Sequence, residues 1–316
     1  MILSILLIII GFVALIYGAN WLVDGASSFA KKKNISDLVI GFTIVAFGTS
    51  APELVVNSVA AVGGFSDIVM GNIVGSNNFN LFIILGIASI IYPLYIQLNT
   101  TQKEIPISII TTIVVLLFAN NFFLFFNPAI SRWEAGILLM IFAGFLYYMF
   151  TQLKSDLPAG DFKPKSNGKI FLLIVVGLAG LILGGKLVVD NAILIATDMG
   201  VSQKIIGLTI IAAGTSLPEL VTSIVAALKK NSDIAIGNIL GSNIFNILLI
   251  LPISILINPL DYNINFNTDL YILIRGTAFV LVAVLIGKTK KVSRWHGLIL
   301  LSSYLAYTSY LVLQEL

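Results

Sequence analysis

The sequence predicts an all-α membrane protein of ten transmembrane helices, built as two inverted five-helix repeats. Three observations predict it. The first is composition. Of 316 residues, 58% are hydrophobic and 10% charged, with a mean hydropathy of +1.02, whereas soluble domains carry roughly 25% charged residues. The second is that ten stretches reach the length of about 20 residues needed to cross the hydrocarbon core. The third is an internal repeat: residues 41–80 align without a gap on residues 207–246, and 25 of the 40 positions are identical.

The predicted spans are 2–26, 36–62, 67–92, 105–126, 131–152, 169–196, 203–228, 233–258, 268–287 and 293–314. The first lacks a basic leading segment, has an apolar run longer than a signal peptide's, and recurs in mid-chain, so it reads as a true span. Between the fifth and sixth spans lies the one long polar stretch. Residues 153–168 hold two prolines, two glycines and mixed charges, the composition of a linker. The expected organisation is therefore a first repeat over 1–152, a cytoplasmic linker over 153–168 and a second repeat over 169–316.

Orientation follows from the basic residues, which favour the cytoplasmic side. With the N-terminus outside, inner segments hold Lys31, Lys32, Lys33, Lys103, Lys154, Lys163, Lys165, Lys169, Lys229, Lys230, Lys288, Lys290, Lys291 and Arg294, and outer ones only Arg132 and Lys204. Both termini are expected outside. Five spans per repeat is an odd number, so the second copy enters the membrane from the opposite side, an arrangement frequent among secondary transporters. The offset of 166 also pairs Gly11, Gly18 and Asp24 with Gly177, Gly184 and Asp190. Farther on, the segment from Ser131 echoes that from Ser293.

Several classes of chemistry are excluded. There is no cysteine and one histidine, His296, which removes disulfides, thiol catalysis and Cys/His zinc sites. No basic run interleaved with aromatics points to nucleic acid. No nucleophile–base pair falls in mid-membrane, so an enzyme is not expected. The lipid bilayer is the expected surrounding.

An ionisable side chain in mid-span costs about 2.5–3.5 kcal/mol on insertion scales and marks function. Glu53 and Glu219 are such residues, and they occupy equivalent positions. Each closes the motif Gly-Thr-Ser-x-Pro-Glu: Gly48, Thr49, Ser50, Ala51, Pro52, Glu53, and Gly214, Thr215, Ser216, Leu217, Pro218, Glu219. Proline removes an N–H and clashes with the carbonyl four residues earlier, while the glycine upstream lowers the cost of unwinding. Spans 2 and 7 are expected to break here and aim carbonyls and hydroxyls into a cavity, the setting in which irregular backbone survives at membrane depth. The following spans carry the stripes Asn72, Ser76, Asn80 and Asn238, Ser242, Asn246, spaced along one helix face. Ser76, Asn80, Ser242 and Asn246 are assigned to the site. Asn72 and Asn238 fit either the site or interhelical packing.

Every candidate ligand is an oxygen, which suits Ca2+, Mg2+ or Na+ and suits soft metals poorly, Mg2+ being the less suited substrate because it sheds water reluctantly. Two carboxylates match one Ca2+ or two Na+, so occupancy by one ion type disfavours the other. Asp67 and Asp233 sit at helix N-termini, where carboxylates are favoured. Lys186 lies four residues before Asp190, a spacing for a local pair. Trp21, Trp133 and Trp295 fit an aromatic belt, and His296 an interfacial position.

At these residues the sequence resembles the sodium/calcium exchanger family, within the calcium/cation antiporters. The paired GTSxPE and GNxxGSNxFN motifs look like that family's two alpha repeats, and the resemblance covers the whole chain. It implies exchange of Na+ for Ca2+ across a cell membrane by alternating access, with no cofactor and Ca2+ and Na+ as transported ions. Electrogenic transport follows if more than two Na+ move per Ca2+. By match to the motif, Glu53 and Glu219 would carry Ca2+, and Thr49, Ser50, Thr215, Ser216, Ser76 and Ser242 would contribute Na+ or Ca2+ ligands. The backbone carbonyls of Ala46 and Ala212 would join them. The fold expected has helices 2, 3, 7 and 8 broken around a central cation site, spans 3 and 8 being included by family resemblance. Spans 1 and 6 are implied to slide across the others. Asparagine at both Asn80 and Asn246 resembles potassium-independent members. The short linker, in place of a large regulatory loop, resembles a prokaryotic protein, and a functional monomer is expected. H+/Ca2+ antiport on the same fold is the alternative, and a passive cation channel a more distant one.

Overall fold

The structure, a computed structural model, describes residues 2–98, 100–120, 129–152, 165–199, 212–287 and 289–315. Its helices are α1 (Ile2–Lys33), α2 (Asp37–Thr49), α3 (Ala51–Val62), α4 (Ser66–Ile91), α5 (Thr100–Ala119), α6 (Arg132–Thr151) and α7 (Asn167–Asp198). They continue with α8 (Ala212–Thr215), α9 (Leu217–Leu228), α10 (Ser232–Ile257), α11 (Phe266–Ile286) and α12 (Arg294–Glu315). Among the described residues, α1, α4, α5, α6, α7, α10 and α11 are each long and apolar enough to cross a membrane, and α2 with α3 form a further span bent by 47°. The pair α8–α9 and helix α12 fall at the seventh and tenth expected spans. Residues 203–211 of the seventh span, 121–126 of the fourth and 153–164 of the linker lie outside the described residues.

Polar residues at the expected boundaries cap the helices. Ser131 and Glu134 form a reciprocal capping box at α6, and the Asn231 side chain accepts the Ile234 N–H at the start of α10. In the echoing segment, His296 Nδ1 accepts the Ser293 N–H at 3.2 Å, so the histidine serves its own helix start.

The break between α2 and α3 lies at Ser50 (φ −82°, ψ 8°), and Ser216 between α8 and α9 has nearly the same angles (φ −88°, ψ 8°). Pro52 and Pro218 stand in the first turn of the following helix, where a missing N–H costs least. Spans 3 and 8 depart from the expected breaks. Helices α4 and α10 run on through π-helical segments at Phe79–Ile84 and Asn246–Ile250. Neither span has a proline at its polar centre, so the backbone widens by one residue per turn without parting. Two short ladders add to the helices: Leu94–Tyr95 (β1) pairs with Lys291–Val292 (β4), and Ala129–Ile130 (β2) with Leu260–Asp261 (β3), all antiparallel. Each ladder ties one half of the chain to the other.

Helices α4 and α10 form the centre, buried over 72% and 83% of their most apolar stretches, against 22% and 28% for α1 and α7. The peripheral pair packs closely. A Cβ added at Gly18 would lie 2.8 Å from the Gly177 carbonyl oxygen, and one at Gly11 would lie 2.8 Å from the Gly184 carbonyl oxygen. As the residue number rises in α1 it falls in α7, so these two equivalent helices run antiparallel through matched glycines. Lys229 joins α1 to the α9–α10 turn, its Nζ 2.7 Å from Asp24 Oδ1. The expected Lys186–Asp190 pair forms at 3.0 Å.

Because backbone faces Gly18, a side chain there has nowhere to go, whereas Gly136 has nothing within 4 Å. Gly18→Ala is expected to destabilise the purified protein by about 1–3 kcal/mol, read as a lowered melting temperature, while Gly136→Ala leaves it unchanged or slightly raised.

Candidate functional site

The two breaks meet at the middle of the molecule. Each places its glutamate in the first turn of a new helix, Glu53 in α3 and Glu219 in α9. That position lets the positive end of the helix face the carboxylate. Both glutamates are only 1% exposed. Helix α10 reaches α2 because Gly237 and Gly241 carry no side chain: a Cβ at Gly237 would lie 2.8 Å from the Leu38 carbonyl oxygen. This contact brings the Asn238–Ser242 face against Thr49.

The hydrogen bonds cross from one repeat to the other. Ser50 Oγ donates to Glu219 Oε1 at 2.9 Å, and Ser216 Oγ donates to Glu53 Oε1 at 3.2 Å. Thr49 Oγ1 lies 3.0 Å from Asn238 Oδ1, and Thr215 Oγ1 lies 3.3 Å from Asn72 Oδ1. Each motif thus supplies the hydroxyl that serves the other motif's carboxylate. Ser242 Oγ also reaches Glu219 Oε1, at 3.4 Å. The Ala46 carbonyl accepts the Ser50 N–H at 3.0 Å and faces Thr49 Oγ1 at 3.3 Å. Ala212 is the first residue of α8.

One oxygen of each carboxylate remains without a protein donor. Glu53 Oε2, Glu219 Oε2, Asn80 Oδ1, Asn246 Oδ1 and Ser76 Oγ are all buried with no hydrogen-bond partner. Leaving a buried acceptor unpaired costs about 1–3 kcal/mol, and more for a charged group. Five such oxygens on two pairs of equivalent helices are a donor set suited to a hard cation. Among the described residues no group of three or more His, Cys, Asp or Glu is gathered, so the anionic share of the set is the two glutamates.

All twelve residues expected at the site therefore fall on the segments that converge here. Asn238, left open between packing and site, ties α10 to α9: its Nδ2 donates to the Glu219 carbonyl at 3.2 Å and to Ser223 Oγ at 2.9 Å. Residues not anticipated also line the centre. Asn57 donates from Nδ2 to the Glu53 carbonyl at 2.9 Å while its Oδ1 is unpaired, and Thr222 Oγ1 is buried without a partner. They stand four and three residues past their glutamates, on the same helix face. Asn77 and Asn243 join α4 to α10. Their signal was identity between the repeats at the same offset of 166.

Along nearly its whole length the chain is similar to known proteins. The family model for sodium/calcium exchanger protein matches residues 3–151 and 169–313. The putative antiporter CaxA of Alkalimonas amylolytica is 36% identical over 97% of this chain and 98% of its own. The sodium/calcium exchanger MaX1 of Methanosarcina acetivorans is 30% identical over 96% of this chain and 97% of its own. A solved structure of the sodium-calcium exchanger NCX_Mj, soaked with Na+ and Ca2+, superposes with a TM-score of 0.84 at 29% identity and covers 98% of both chains. Matches of this extent over both repeats leave one assignment: the chain belongs to the sodium/calcium exchanger family, and it is a multi-pass membrane antiporter, not an enzyme.

Proposed function

We propose that this protein exchanges Na+ for Ca2+ by alternating access at the Glu53–Glu219 site. The observation that carries the reading is the pair of buried carboxylates, each held by a hydroxyl of the opposite repeat and each keeping one free oxygen. Two negative charges balance one Ca2+ or two Na+. Holding both loads together would leave a large net charge in a low-dielectric interior, where Coulomb energies are strong. The two loads therefore exclude one another, which is the physical requirement for exchange. Glu53 and Glu219 are the Ca2+ ligands, joined by Asn80, Asn246 and Ser76. Thr49, Ser50, Thr215, Ser216 and Ser242, with the carbonyls of Ala46 and Ala212, give neutral oxygens suited to Na+. Those hydroxyls favour Na+ over H+ as the coupling ion, since proton coupling needs the carboxylates alone. The names of NCX_Mj and MaX1 support the same ions.

The two repeats, 1–152 and 169–316 around the linker 153–168, each supply half of the site. Access from either side then follows from α1 and α7, one from each repeat, sliding together across the other helices. Both termini are placed outside a prokaryotic cell membrane. In support, Lys31, Lys229 and Lys230 share one cleft of about 530 Å3, and Lys291 stacks over Tyr95 at the same end. Basic residues thus gather at the end assigned to the cytoplasm. The monomer is the proposed working unit, because all the ligands come from one chain.

Purified protein in Na+-loaded proteoliposomes, with the proton gradient collapsed, is expected to take up radioactive Ca2+ only down an outward Na+ gradient. Glu53→Gln and Glu219→Gln should each abolish uptake. Uptake indifferent to Na+ assigns the coupling to H+ or makes the protein a channel, and overturns the proposal.

Binding can be read without transport. At Ca2+ about 100 times its Kd, the folded protein should gain about 2.7 kcal/mol, seen as a raised melting temperature. Glu53→Gln should lose most of that gain, and addition of Na+ should reduce it in the wild type by competition.

A further inference from the structure

We propose that Asn77 and Asn243 are positioning residues that decide which end of the Asn80 and Asn246 amides faces the ions; the inference rests on the cation-site reading above. An asparagine amide is nearly symmetric in shape but opposite in chemistry at its two ends. Its oxygen binds a cation, and its NH2 group repels one. A site that uses asparagine as a ligand must therefore fix the amide's orientation, and only the surrounding hydrogen bonds can do so.

The structure contains a chain of bonds that does this, anchored where no ambiguity exists. Asn243 Nδ2 donates to the backbone carbonyl of Asn77 at 3.3 Å, and Asn77 Nδ2 donates to the backbone carbonyl of Asn243 at 3.2 Å. A backbone carbonyl only accepts, so the NH2 ends of Asn77 and Asn243 are assigned by it. Their oxygen ends must then point the other way, and each meets a ligand asparagine. Asn80 Nδ2 donates to Asn243 Oδ1 at 3.0 Å, and Asn246 Nδ2 donates to Asn77 Oδ1 at 2.9 Å. A flipped Asn80 or Asn246 would set oxygen against oxygen. The remaining ends, Asn80 Oδ1 and Asn246 Oδ1, are the buried, unpartnered acceptors of the site.

The four amides follow the two-fold relation between the repeats: Asn77 with Asn243, and Asn80 with Asn246, each 166 residues apart. Asn77 is 0% and Asn243 1% exposed, so water does not compete for these bonds. No hydrogen bond joins either to Glu53 or Glu219 among the described residues, so they act on the ions through Asn80 and Asn246. The same bonds tie α4 to α10.

A double-mutant cycle separates orientation from packing. Removing Asn243 frees the Asn80 amide to turn its NH2 inward. Asn243→Ala is expected to raise the half-saturating Ca2+ concentration for uptake by about 10–100-fold, with a smaller change in maximal rate. An aspartate at position 80 shows oxygen at both ends and has no orientation to lose. In the Asn80→Asp background, Asn243→Ala should therefore leave that concentration unchanged or lower it. An equal rise in both backgrounds makes Asn243 a packing residue and overturns the proposal. If Asn243→Ala does not elute as folded protein, the symmetric cycle of Asn77→Ala with Asn246→Asp gives the same two outcomes. The readout is Ca2+ dependence at a fixed driving gradient, so a wrong coupling ion leaves it intact. Wild type that takes up no Ca2+ removes the cation-site reading, and this proposal falls with it.

Discussion

Two carboxylates held inside an apolar helix bundle are the constraint on which the rest of this structure depends. Moving an ionised group out of water costs several kcal/mol even after the protein relaxes around it. The chain carries Glu53 and Glu219 almost fully buried. What tolerates them is local. Each stands in the first turn of a helix, beyond a break that frees backbone and hydroxyl groups, and each accepts a hydroxyl from the opposite motif. The proline-induced breaks place that first turn at the centre of the protein, where an unbroken helix would present only its satisfied middle.

The repeat acquires its meaning from this crossing. Neither half builds a site alone, because the serine that serves Glu53 is Ser216 and the one that serves Glu219 is Ser50. The same logic recurs at the periphery, where Gly11 and Gly18 of α1 meet Gly184 and Gly177 of α7, and in the two ladders that join strand to strand across the halves. A two-fold relation lets one mutational solution to a costly problem be used twice, and its contacts fall between equivalent elements.

Much of the site's polarity is neutral. Asparagines and hydroxyls outnumber the two carboxylates. The π-helical segments of α4 and α10 begin beside these asparagines, at Phe79 and Asn246. A widened turn leaves backbone and side chains in a register that a regular helix would not give.

The sequence alone determined the membrane fold, the repeat and the residue types gathered at the candidate site. Long apolar runs, a constant offset of 166 and two copies of Gly-Thr-Ser-x-Pro-Glu are local features, and their consequences for helix breaks and ligand type are local too. Periodicity placed Ser76, Asn80, Ser242 and Asn246 on faces whose side-chain oxygens are left unpartnered or, for Ser242, turned to Glu219. It did not say what those faces meet. What Asn238 bonds, that Ser50 reaches Glu219 instead of Glu53, and that Asn77 and Asn243 bond the amides of Asn246 and Asn80 were decided by tertiary structure. So was the continuity of α4 and α10 where breaks were expected. A helix face fixes the direction of a side chain, while its partner depends on how helices from two distant halves cross, and that crossing is set by glycine contacts and backbone geometry spread over the whole chain.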